Sequence, residues 1–363
     1  MEYKNYNKLV LSALCLLIFF VVAFNYIIDP LNVFGTKNRF NEQKPNVDKN
    51  QRISKIPALK LDKNKIDAIW VGSSKTGWSS NENYESSILN ANIKNLTLNS
   101  CSFYEAISMA KNSIFVHPEI KTVYFGIDFA MMLKPVGEDS SLEEVKNRNI
   151  THKEILPLIL SLDTFQHAFK TFSSNLKSTQ TEQPEYGLEK QYNKKVLHKF
   201  KNTSQAYYKN TYKDFKFDNK KIEDLKEFVS WGEKNNVKII FFTTTMHIAE
   251  RIIIFNTGNI DEFYNFKTEL AEIQPYYDFA IIDKYTTDEI KPDMQYFRDA
   301  VHAYSFIRKK ISRKLFGYEE DFGNLVTKEN VKQKNSVDKE RFDKYLQENP
   351  KLVEQVKKWC KQN

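Results

Sequence analysis

The feature that most constrains this chain is a repeated switch of hydrophobic period. Short apolar runs of strand length occur at 66–72 (IDAIWVG), 93–100 (IKNLTLNS), 122–129 (TVYFGIDF), 237–245 (VKIIFFTTT) and 277–284 (YDFAIIDK). Helical patterns separate them. One covers 102–116, between the second and third runs. Another covers 219–236, where Ile222, Leu225, Phe228, Val229 and Trp231 recur at near-helical spacing. MHIAERIIIF and IDEFYNFKTELAEIQPY precede the fifth run. Strands that alternate with helices in this way predict a parallel sheet covered on both faces, a three-layer α/β/α sandwich.

One segment stands outside that rhythm. Residues 9–28 are apolar, with Asn25 the one strongly polar interruption, and Asp29-Pro30 ends the run. A helix of about 20 such residues crosses the hydrocarbon core. A cleaved signal peptide would show small residues after a shorter run, and FNYIIDP has none. The segment is read as a single-pass anchor in the lipid bilayer behind a short tail, 1–8. Lys4 and Lys8 precede it and Lys37, Arg39 and Lys44 follow, a balance that leans slightly toward an internal N-terminus. The bulk of the chain is then expected outside the cytoplasm.

Residues 29–60 are polar, without periodicity, and read as a linker to an α/β domain at 61–318. Residues 136–218 interrupt that domain as a helical insertion. It contains one amphipathic pattern, KEILPLILSLDTFQHAFKTFSSNL, and then a polar stretch. Residues 319–363 form a charged tail with a terminal helix expected over 338–359. The net charge of +8 comes from scattered, mostly lysine side chains, and no base-reading pattern accompanies it, so nucleic acid is not expected as a partner. Three cysteines make no disulfide framework; Cys15 lies in the anchor, and Cys101 and Cys360 are read as thiols.

The first strand ends in Gly72-Ser73-Ser74-Lys75-Thr76-Gly77. A phosphate-binding loop has this glycine spacing, but Trp78 occupies its lysine position. A strict G-x-S-x-G nucleophile elbow fails at Thr76. Two readings remain: a serine presented just past the strand, at the edge where open sheets bind ligands, and a hydroxyl cap in which Ser74 or Thr76 satisfies helix amides.

Asp299 and His302 lie in QYFRDAVHAYSFIRKK, after the fifth strand-like run. At i and i+3 on a helix they would be neighbours. Asp could then fix the imidazole tautomer and leave Nε2 free to deprotonate a serine. Taken alone the pair could equally be a surface feature. Both halves return to one sheet edge, which favours a Ser-His-Asp site of Ser74, His302 and Asp299. His247, which leaves the fourth run at that edge, is a candidate for substrate contact. His117, His152, His167 and His198 are read as surface or half-buried residues. No histidine spacing supports a metal, and no cofactor is expected.

With these blocks in view the chain resembles the SGNH hydrolase superfamily. The likeness is to its membrane-anchored bacterial cell-envelope branch, similar to alginate O-acetyltransferase-type and teichoic-acid D-alanine transfer proteins. Gly72-Ser73-Ser74 matches the first block and Asp299-Ala300-Val301-His302 the last. The resemblance spans the anchor with its DPLNVFG sequel and about 61–130 and 220–318. It implies a flavodoxin-like sheet of about five strands. Ser74 is implied as nucleophile, with its own amide helping an oxyanion.

The middle blocks depart. Ser100 stands where a glycine amide usually serves the oxyanion, and Gly126-Ile127-Asp128 stands for Gly-x-Asn-Asp. Asp128 in place of an amide side chain would repel negative charge. The function implied is a serine esterase or O-acyltransferase acting on acyl esters of a cell-envelope glycan or related substrate, with a membrane-bound acyl-donor protein as a partner. The alternative, prompted by Ser100 and Asp128, is a non-catalytic tethered binding or scaffold protein.

Overall fold

The structure is a computed structural model that describes residues 2–42, 51–78, 82–135, 152–176 and 195–361. Much of the expected insertion, at 136–151 and 177–194, lies outside the described residues, as do 43–50 of the expected linker and the His152 side chain. The chain forms two compact units. The smaller draws on 1–64, 115–117 and 147–183, and the larger on 65–114, 118–146 and 184–363.

In the smaller unit the apolar run is one helix, Glu2–Ile28. Its Asn5–Ile28 portion is long and apolar enough to cross a membrane, a property a signal sequence shares. Asp29, at φ +42, stops the helix. Its carboxylate accepts the amides of Val33 (2.7 Å), Phe34 and Thr36 (3.2 Å each). Asn41 Nδ2 turns back to donate to the Ile28 carbonyl at 3.1 Å. Part of the expected linker is thus a built helix cap, and Gln51–Leu61 adds a further helix. The single amphipathic pattern in the insertion forms two helices, His152–Leu160 and Leu162–Leu176, broken at Ser161. Both pack on Glu2–Ile28.

The larger unit carries the sandwich. Its strands are β1 (Ala68–Val71), β2 (Ile93–Asn95), β3 (Thr122–Ile127), β4 (Leu133–Pro135), β5 (Phe215–Phe217), β6 (Lys238–Thr243), β7 (Tyr276–Asp278) and β8 (Asn324–Val326). Six make one sheet in the order β2-β1-β3-β6-β7-β8, and β4 and β5 form a separate antiparallel pair. The first five pair in parallel, in flavodoxin-like order. β8 adds a sixth, antiparallel strand on β7, with Tyr276 opposite Val326. That strand lies in the stretch read as a charged tail; three residues, with Leu325 exposed, give no periodic signal.

Both faces of the central strands are covered, which is why they read as unbroken apolar runs. All four residues of β1 are buried. Trp70 stacks on Tyr124 (5.2 Å between centroids) and meets Phe242 edge-on (5.2 Å). On β3, Phe125 meets Phe228 of helix Asn219–Lys234 at 5.9 Å and Phe103 of helix Phe103–Val116 at 6.3 Å.

The terminal segment is two helices, Val331–Glu348 and Pro350–Lys361, divided at the proline. Asp338 on the first reaches into a buried charge cluster. Its carboxylate accepts from Arg251 Nη1 (2.9 Å) and the Ile282 amide (2.6 Å), with Lys267 Nζ at 3.5 Å. Lys267 also pairs with Asp278 at the end of β7, 2.8 Å away.

Candidate active site

The C-terminal edge of the parallel sheet gathers the polar residues. Gly72-Ser73-Ser74 follows β1, Asp128 follows β3, Thr244 to His247 follow β6, and the segment after β7 carries Asp299 and His302. The order reverses between β1 and β3, and ligand crevices in such sheets open at that point.

Gly72 makes the exit from β1 at φ +140, a conformation nearly confined to glycine. A side chain there would strike the Gly126 carbonyl, 2.6 Å from an added Cβ, and the Thr76 hydroxyl. Thr76 is fully buried and donates to the Gly126 carbonyl at 3.3 Å. The close approach that a nucleophile elbow obtains from its second glycine is here supplied by Gly72 and Gly126, which leave room for the threonine. Gly126 itself lies within β3, opposite Phe242. Ser74 then opens a single helical turn, Ser74–Trp78.

Ser74 Oγ lies 3.0 Å from His302 Nε2. His302 Nδ1 lies 2.9 Å from Asp299 Oδ2 and 3.0 Å from Oδ1. With the ring proton on Nδ1, His302 donates to Asp299 and turns an unprotonated Nε2 toward the serine. Burial pushes the Asp299 carboxyl up, but the His302 hydrogen bond and charge and the amides of Val301 and His302 outweigh it and hold it below the usual carboxylate range. Asp299 therefore stays ionised.

The Asp–His pair does not sit on a helix, as its spacing suggested. Helix Ser305–Leu315 begins only after it. Asp299 Oδ1 accepts the amides of Val301 (3.0 Å) and His302 (2.9 Å), and the Arg298 amide donates to the His302 carbonyl at 3.0 Å. An aspartate that bonds its own following amides competes with helix formation and closes a turn instead. That turn brings the carboxylate under the ring.

Asp128 is turned away from solvent and engaged by its neighbours. It is buried, and its two oxygens accept the hydroxyls of Ser73 and Thr244. Ser73 Oγ also accepts the Lys75 amide at 3.1 Å, so Asp128 ties the turn after β1 to the end of β6. Ser100 is exposed and takes φ +50, the left-handed conformation glycine adopts most readily. Its loop is drawn to the same edge by the Leu98 amide, which donates to the Gly72 carbonyl at 2.9 Å.

His247 is fully buried and caps helix Ile248–Asn256, accepting the Ala249 amide at Nδ1 (3.1 Å). Nε2 donates to the Asp288 carbonyl at 2.7 Å. Burial lowers its pKa to about 4, against the opposing pull of the Asp288 carbonyl and Asp299. Both nitrogens are engaged within the fold, so the ring offers neither to a substrate in the crevice.

Sequence reasoning passed over Lys75. Its ammonium pairs with Glu250, and Tyr212 Oη donates to the same carboxylate at 2.7 Å. Nothing in the sequence signals a partner 175 residues away. Among the described residues no group of three or more His, Cys, Asp and Glu side chains could hold a metal ion.

No protein-family model matches this sequence, and no curated protein matches it. One solved structure, described as a "putative acylhydrolase" from Bacteroides fragilis, aligns over 70% of this chain and 88% of its own, at 10% identity and a TM-score of 0.34. A likeness this loose adds nothing to the geometry of the site.

Proposed function

We propose that this protein is a membrane-anchored serine esterase or O-acyltransferase, working through an acyl-serine intermediate. The observation that carries the reading is the run of contacts from Ser74 Oγ to His302 Nε2 (3.0 Å) and from His302 Nδ1 to Asp299 (2.9 Å). His302 takes the Ser74 proton as Oγ attacks an acyl carbonyl. Asp299 holds the ring tautomer and balances the imidazolium. The tetrahedral intermediate collapses, His302 returns the proton to the departing alcohol, and the acyl group stays on Ser74. A second hydroxyl, from water or a sugar, gives its proton to His302 and takes the acyl group, and as the acyl–Oγ bond breaks His302 passes that proton to Ser74 Oγ.

The Ser74 amide and the Ser100 amide are the oxyanion donors in this reading. The left-handed backbone at Ser100 supports the second, since it reproduces the conformation of a glycine at that point. Asp128 has no part in it, because both its oxygens are occupied by hydroxyls. An acyl ester of a cell-envelope glycan is the proposed substrate, and a membrane-bound acyl carrier the proposed donor. The length and apolarity of Asn5–Ile28 support an anchor; a chain whose bulk lies outside the cytoplasm is part of the same proposal.

A fluorophosphonate probe tests the reading on the full chain in detergent micelles. The expected result is covalent labelling of wild type that disappears in Ser74→Ala. A wild type with native circular dichroism that takes up no probe and hydrolyses no nitrophenyl acetate would overturn it.

A further inference from the structure

Helix Leu162–Leu176 carries apolar side chains on its exposed side as well as on the side that packs on Glu2–Ile28. Leu162, Phe169 and Leu176 are 69%, 58% and 57% exposed. At spacings of seven they form one outward stripe. The inward side holds Thr164, His167 and Thr171, all buried, together with Ala168. A helix facing water carries polar residues on its exposed side. On helix His152–Leu160, Leu156 and Leu160 are likewise exposed, at 59% and 47%.

The location of this surface indicates what covers it. The pair is fastened to the apolar helix Glu2–Ile28 near its end. Phe24 lies 5.3 Å from Phe165 and 5.8 Å from Phe172, and Phe20 lies 6.2 Å from Phe165. Asn25, the polar interruption of the run, is buried. Its Nδ2 donates to the carbonyls of Ile159 (2.9 Å) and Ser161 (3.2 Å), where the two helices break. At 1.5 Å per residue, Asn5–Ile28 is about 36 Å long and Phe20 stands about 12 Å from its end. A hydrocarbon core about 30 Å thick then reaches close to the depth at which the pair is attached. Asp163, Gln166 and Lys170 are exposed on one flank of the apolar stripe. Headgroup-facing polar residues beside an apolar stripe characterise helices that lie in a membrane interface.

We propose that helices His152–Leu160 and Leu162–Leu176 form a second membrane contact, lying in the bilayer interface beside the exit of the anchor, with Leu162, Phe169 and Leu176 in the lipid. The proposal rests on the anchor reading above. It makes the protein touch the bilayer over an area and not at a single stalk.

Nitroxide labels on single cysteines test it in the full chain, in a Cys15→Ala background with Cys101 and Cys360 left as buried thiols. The labels replace Leu162, Phe169, Leu176, Gln166 or Leu14, and the protein is reconstituted in phosphatidylcholine–phosphatidylglycerol vesicles. Oxygen concentrates in lipid and a nickel chelate in water. At Leu162, Phe169 and Leu176 the oxygen-to-nickel collision ratio is expected to exceed that at Gln166 several-fold and to approach that at Leu14. A water-like ratio at all three with a lipid-like ratio at Leu14 overturns the proposal and leaves the anchor standing. Low collision rates with both agents would mean coverage by protein and would also overturn it. A water-like ratio at Leu14 itself overturns the anchor reading and this proposal together.

Discussion

Lys75 Nζ lies 2.9 Å and 2.8 Å from the two carboxylate oxygens of Glu250, and both side chains are sealed from solvent. Lys75 follows Ser74 directly, and Glu250 lies in the first turn of helix Ile248–Asn256, where a negative charge is favoured. The pair therefore fixes the serine turn to the helix that follows β6 in the chain. Lys75→Met leaves Glu250 buried without its cation, and breaking such a pair costs about 3–5 kcal/mol. The double variant Lys75→Met/Glu250→Gln is expected to recover much of that stability in urea titrations, since glutamine still accepts the Tyr212 hydroxyl. Its ester-hydrolysis kcat should stay below wild type, because the turn has lost its ionic tie.

Asp299→Asn separates ring orientation from folding. The asparagine oxygen can still accept the amides of Val301 and His302, so the turn and the melting temperature are expected to persist. The amide group favours the wrong imidazole tautomer, and kcat should fall by about 10^3 to 10^4. Steady-state hydrolysis of a nitrophenyl ester, read beside thermal melting, checks both halves. Equal kcat in the variant and wild type would remove Asp299 from the mechanism.

His247 makes stability depend on pH in a defined window. Its folded pKa, about 4, lies below the unfolded value of about 6.5, so between those values the unfolded chain binds the extra proton. The contribution is complete above about pH 6.5 and is lost as pH falls toward 4, amounting to about 3 kcal/mol. His247→Asn keeps a capping side chain and removes the titration. The wild-type urea midpoint should fall through that window by more than the variant's, and equal falls would remove His247 as the cause.

Asp338→Asn tests the terminal helix as part of the domain. The substitution leaves Arg251 and Lys267, both fully buried, with one carboxylate fewer. A loss of about 3–5 kcal/mol is expected. The unfolding midpoint in urea measures it, and a midpoint within error of wild type would show the cluster to be dispensable.

Much of this was readable in advance. Short unbroken apolar runs rich in branched and aromatic residues fit strands buried on both faces, so β1, β3 and β6 stood out. Ser74 was singled out by its place just past β1, and the Asp299/His302 pair by its spacing in the segment after the last parallel strand. What stayed hidden had one of two causes. Some signals were too short: β8 is three residues long, and Ser161 breaks an otherwise continuous helical pattern. Others were set by distant partners: Glu250 chooses Lys75, and hydroxyls from two different strand ends occupy the carboxylate of Asp128. The turn at Asp299 belongs to a third kind. The i, i+3 spacing was right and its structural cause was wrong, because the aspartate bonds its own following amides.

The charge cluster around Asp338 also has a consequence in time. Arg251 precedes its carboxylate partner by 87 residues, and β7 receives its outer neighbour only when Asn324–Val326 has been made. A chain emerging from the ribosome reaches His302 well before it can supply buried Arg251 with the Asp338 carboxylate. The candidate residues of the site are thus all synthesised before the fold that aligns them can close, and esterase activity should appear only in nascent chains that extend past Asp338.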